Sequence, residues 1–128
     1  MKQLLLLTLL WTVGVEANIK VLISNEHRLT SVTQKELSDL YLGKKNTIQG
    51  VKVIPIDNKE NFKEFYQKVL KKNPKQLRAY WMREMYKGDR LPPKKMTVSQ
   101  IKKEMSSNKK IVTYAISKLN GKVIMTLK

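Results

Sequence analysis

Five polar residues stand where this sequence would turn out of its strands: Ser24, Asn25, Asn58, Lys59 and Asn61. Hydroxyl and amide groups, one ammonium and the free N–H groups of a helix start are the donors that an oxyanion needs. The chemistry on offer is therefore to hold an anion. Lys63 adds a charge nearby, and Glu60 would repel an anion. No other set of residues competes with this one. His27 is the only histidine and has no evident partner for base chemistry, so a surface role is expected. No paired carboxylates, glycine-rich phosphate loop or metal-ligand cluster stands at a working spacing. Met82 and Met85, three apart on a helix, read as core packing rather than as copper ligands, and Tyr80 and Trp81 read as buried rather than as a stacking platform.

The elements that must position these residues follow from pattern. Residues 19–23 read as a strand that ends at Ser24-Asn25. Thr33 and Glu36 form a capping box, with Val32 and Leu37 as its hydrophobic staple. The helix they open carries Leu37, Leu40 and Tyr41 on one face and stops at Gly43, beside Lys44 and Lys45. Residues 51–56 read as a second strand, after which Asp57-Asn58 is expected to cap a helix bearing Phe62, Phe65, Tyr66, Val69 and Leu70. Asn73-Pro74 starts another helix, expected to bury Leu77, Tyr80, Trp81 and Met85 before Gly88 ends it. Leu91-Pro92-Pro93 is a stiff link, and Thr97 with Gln100 caps a last helix, with Met96 and Ile101 as its staple. Residues 111–116 and 123–127 complete the strands. Strands alternating with helices predict an α/β domain with a mostly parallel sheet and flanking helices. Ligands of such sheets bind outside the carboxyl ends of the strands, which is why the five polar residues are singled out.

Charge and size bound the rest. The net charge of +16 is uneven: nine basic residues face six acidic ones between Asn18 and Leu70, but sixteen face three after it. Such a field draws anionic partners without choosing among them. Residues 1–17 combine Lys2, an apolar run from Leu4 to Val13 and small residues at Val15 and Ala17. They read as a secretory signal peptide, too short for a bilayer span, leaving residues 18–128 as one domain in the periplasm with no later transmembrane segment. The chain has no cysteine, which removes thiol catalysis, thiolate metal sites and iron–sulfur clusters.

Several motifs, in order, carry a family resemblance: "LTSVTQKELSDLYLGKK", "VIPID", "FKEFYQKVL", "KQLRAYWMREMYKGDRLPP" and "IVTYAI". Together they resemble the small single-domain, periplasmic-binding-protein-like relatives of phosphate ABC-transporter substrate-binding proteins. Tyr41 to Lys44 is similar to that family's "FLGK", and Ala79 to Trp81, followed by Gly88 and Pro92-Pro93, to its second signature. The resemblance implies a single lobe of the type-II binding-protein kind and a role near phosphate uptake. The sequence departs from the family where a Ser-Gly-Thr run would meet phosphate, reading Asn58-Lys59-Glu60-Asn61, and where Thr113 replaces a glycine.

The expectation is a solute-binding-like protein that takes phosphate or a similar oxyanion, without metal, cofactor or enzymatic activity. One alternative is a ligand-free module of the same fold that docks a membrane transporter or sensor. The other is a nonspecific binder of acidic polymers, with nucleic acid disfavoured by the export signal.

Overall fold

A computed structural model describes residues 18–88 and 90–128; the expected signal peptide at 1–17 lies outside them. Among the described residues, seven strands and four helices follow one another: β1 (Ile19–Ile23), α1 (Gln34–Tyr41), β2 (Thr47–Ile48), β3 (Val51–Lys52), β4 (Ile54–Asn58), α2 (Phe62–Leu70), α3 (Pro74–Lys87), β5 (Lys94–Met96), α4 (Val98–Ser107), β6 (Ile111–Ala115) and β7 (Lys122–Leu127). Five strands make the main sheet in the order β5-β4-β6-β1-β7, and β2 with β3 forms a small antiparallel ribbon.

The chain is mixed α/β, as expected, but its sheet is not mostly parallel. β4 runs parallel to β5 and β6, while β1 is antiparallel to both β6 and β7. The sequence pattern could not show this, because β1 and β7 alternate no differently from parallel strands. β5 was not foreseen at all: Lys94-Lys95-Met96 carries no strand pattern, and it pairs because the proline link delivers it extended beside β4.

Helices cover both faces of the sheet. On one face, α1, α2 and α3 pack Leu37, Tyr41, Phe65, Val69, Leu77 and Trp81 onto Val21, Ile23, Val112 and Tyr114, with Leu70 half-buried against them. On the other, α4 lays Ile101 and Met105 over Leu22, Ile56 and Ile111. Side chains alternate across each strand, so Ile56 and Asp57 face opposite layers.

Three helix starts fall where the sequence places them. Thr33 and Thr97 close the expected capping boxes with Glu36 and Gln100, and Asn73, expected only as a helix start, closes a third with Gln76. Gly88 ends α3 in the left-handed region. Gly43 follows α1 with φ 73°, and a Cβ there would meet Trp81 Cη2 at 3.2 Å and Arg90 Cδ at 3.4 Å. The glycine after "DLYL" is therefore required twice, by its backbone and by the tryptophan packed on it.

One cap differs. Asp57 and Asn58 do not open α2; they are the last residues of β4, and Asn61 is the N-cap. Asn61 gives α2 no side-chain hydrogen bond.

Candidate functional site

The five polar residues do not converge. Because β1 is antiparallel to β6, Ser24 leaves the sheet at the start of β6, whereas Asn58 reaches its end. The two ends are about four residues, or roughly 13 Å, apart along the strands. The strand-end rule placed them together only on the premise that β1 runs parallel to β4.

At the end of β4 the polar groups are already spoken for. Asn58 is fully buried; its Nδ2 donates to Tyr114 O at 2.9 Å and its Oδ1 accepts the Glu60 N–H at 2.9 Å. Asn61 Oδ1 accepts the Ile116 N–H at 3.2 Å, and Ser117 Oγ donates to Glu60 Oε1 at 3.1 Å. The Lys59 N–H donates to Met96 O at 2.9 Å. These bonds tie the ends of β4, β5 and β6 together, so the asparagines act as clamps. At the opposite end, Ser24 Oγ accepts the Glu26 N–H, and His27 Nδ1 accepts the Leu29 N–H. Desolvation, with Lys122 and Arg28 nearby, holds the His27 imidazole below its usual pKa. Ser24 and Asn25 border a separate cavity of about 330 Å³ with Lys102 and Lys109. Among the described residues, no buried side-chain nitrogen or oxygen lacks a partner, and no cluster of metal-ligating side chains forms.

The concave surfaces that stand out lie around β5, one on each face of the sheet. On the α3 face, a groove of about 420 Å³ is walled by Phe62, Leu77, Trp81, Met82, Met85, Pro92 and Pro93, with Arg78 and Lys95 as its cations. On the α4 face, a larger cavity of about 650 Å³ is bordered by Gly43, Lys44, Lys45, Ile54, Ile56, Lys94, Met96 and the same Leu91–Pro93 link. The "LGKK" of residues 42–45 thus does more than stop a helix: both lysines stand at the mouth of this cavity, although their N–H groups return to Asp39 O.

Asp57 forms part of the groove floor and is 2% exposed. Its Oδ1 accepts from Tyr114 Oη at 2.8 Å and its Oδ2 from Tyr66 Oη at 2.9 Å. Phe65 lies flat on Tyr114 with ring centroids 3.7 Å apart, which fixes that tyrosine. Burial pushes the Asp57 carboxyl up to about 7, against the pull of the two hydroxyls and the nearby Lys95 charge. Lys95 Nζ sits 3.7 Å above the Phe62 ring. Both tyrosines are held above their usual pKa, first by burial and then by Asp57. A carboxyl so enclosed acts as a polar strut between β4, β6 and α2.

The rim of the groove departs from the sequence reading. Trp81 and Tyr80 are buried, as expected, but Met85 is 50% exposed and Met82 72%. Tyr86 on the same helix is 94% exposed and Leu91 77%. The α3 position expected for a buried Met85 is taken by Glu84, which pairs with Arg90 at 3.1 Å and Lys87 at 3.5 Å. Arg90 also donates to Tyr80 Oη, which donates to Leu42 O at 2.7 Å, so this network locks the end of α3 onto the end of α1.

No protein-family model matches the chain, and no curated protein or solved structure is significantly similar to it. No helix among the described residues is long and apolar enough to cross a membrane.

Proposed function

We propose that this chain is an interaction module whose surface around α3 and β5 docks an acidic, partly apolar segment of a protein partner. One observation carries the reading: Met82 and Met85 are large apolar side chains left open on the wall of a groove that Trp81 also lines, and Leu91 is left open beside the neighbouring cavity. Isolated exposed apolar residues need no explanation, but a cluster on the lip of a concave surface is the usual mark of a contact site. Methionine suits the task, since its flexible thioether repacks around different side chains. The cations beside the two concave surfaces, Arg78 and Lys95 on one and Lys44, Lys45 and Lys94 on the other, call for negative charge in the partner. We propose a membrane transporter or sensor as the partner, the docking alternative that the sequence reading left open.

Phosphate binding at the β4 end has less support, because Asn58, Asn61 and the Lys59 N–H are committed to the protein itself. The test uses a fluorescein-labelled ten-residue peptide of Asp, Glu, Val and Leu, followed by anisotropy at fixed ionic strength. A Met82→Ser/Met85→Ser variant should bind about thirtyfold more weakly, since two apolar contacts near 1 kcal/mol each are removed. Its melting temperature should stay near the parent's, because both residues are exposed. Equal affinity for both proteins, or for oligoglutamate of matched charge, contradicts the docking reading and leaves only the field of the +16 chain.

A further inference from the structure

We infer that the partner segment binds as an added strand on the outer edge of β5, with alternate side chains entering the groove on one face of the sheet and the cavity on the other. This rests on the docking reading above and specifies its geometry. β5 is the end strand of the sheet, paired on one side only with β4. Its register matches Ile56 with Lys94, Asp57 with Lys95 and Asn58 with Met96. The Lys59 N–H donates to Met96 O, so the peptide groups of Met96, and by alternation those of Lys94, point toward β4. The N–H and C=O of Lys95 therefore point outward, where no strand of the described residues lies. A strand that is short, basic and preceded by two prolines is protected against pairing with copies of itself. The same lysines would accept an acidic strand.

The side chains agree with this placement. Lys94 and Met96 border the cavity on the α4 face, whereas Lys95 borders the groove on the α3 face. A strand laid beside β5 would alternate in the same way, sending its residues into both concavities. Main-chain bonds to Lys95 would supply affinity, and the two concavities would read apolar and acidic side chains.

Lys95→Pro isolates the backbone contribution. Proline removes only an outward N–H, a position that edge strands tolerate, and its neighbour Lys94 is already extended. Lys95→Ala removes the charge but keeps the N–H. With the labelled peptide above, Lys95→Pro should weaken binding about fivefold relative to Lys95→Ala, the ratio expected when one strand hydrogen bond is lost. In the parent protein, bound peptide should slow exchange of the Lys95 amide, a readout that stands even if the proline variant fails to fold. Peptide binding with an unprotected Lys95 amide overturns strand addition and leaves docking intact. No peptide binding to the parent overturns docking itself, and uptake by anionic lipid vesicles in place of the peptide would assign the surface to a membrane and overturn both.

Discussion

Asp57 offers the sharpest stability test, because its cost can be read from its surroundings. Its carboxyl titrates at about 7 in the fold against an ordinary value of 3.8, with burial as the leading cause. Below about pH 4 the group is neutral in both the folded and unfolded chain, and no difference arises. Between about pH 4 and 7 the folded protein keeps a proton that the unfolded chain has released, so stability falls as pH rises. Above about pH 7 the full cost of a buried charge stands, on the order of 4 kcal/mol. Asp57→Asn keeps an acceptor for one tyrosine and offers a donor to the other, so it should resemble the protonated carboxyl. Urea unfolding followed by circular dichroism, repeated from pH 4 to 8 on both proteins, isolates the group as a difference. Other carboxylates and the self-repulsion of the basic chain cancel in that difference. The variant should match the parent near pH 4 and exceed it by about 3–4 kcal/mol near pH 8. A difference that changes by less than about 1 kcal/mol over that range would mean that Asp57 is solvated and that its strut role is wrong.

Four further substitutions test the packing that shapes the site. Trp81→Ala should cost about 3–5 kcal/mol by denaturant melts, as a large ring buried under Gly43 and Leu77 is removed; a loss under about 1 kcal/mol would mark the ring as free for contact. Gly43→Val should cost at least about 2 kcal/mol from left-handed backbone and contact with Trp81, whereas Lys44→Ala should stay within about 0.5 kcal/mol. Asn58→Ala should cost about 1–3 kcal/mol, because the Tyr114 carbonyl and Glu60 amide lose their partner; unchanged stability with lost phosphate affinity by calorimetry would return Asn58 to a ligand role.

The parts of the fold legible in the sequence are those set by local chemistry. Capping boxes, the glycine stops and the apolar stripe of α2 each depend on residues within one or two turns, and each formed where it was read. Strand direction depends on contacts across the chain, so the antiparallel setting of β1 was hidden, and with it the separation of Ser24 from Asn58. α3 shows the limit of a stripe read by spacing alone. At about 100° per residue from Leu77, the buried Tyr80, Trp81 and Glu84 fall within a roughly 100° arc, while Met85 lies about 80° away, Met82 about 140° and Tyr86 about 180°. A full wheel count would have set both methionines outside the core. Asp-Asn before an apolar helix predicts a cap at Asp57; only the tertiary position of Tyr66 and Tyr114 explains its burial.

The central claim, that the surface around α3 and β5 is a docking site, is met most directly by mapping amide chemical shifts while the acidic peptide is titrated into the protein. The account predicts that the largest changes cluster at Lys44–Asn46, Met82–Met85 and Leu91–Met96, survive moderate salt, and leave Glu60 and Asn61 unmoved. Small changes spread over all the basic residues, or saturable changes confined to Lys59–Lys63 and Ser117 on adding inorganic phosphate instead, would contradict it.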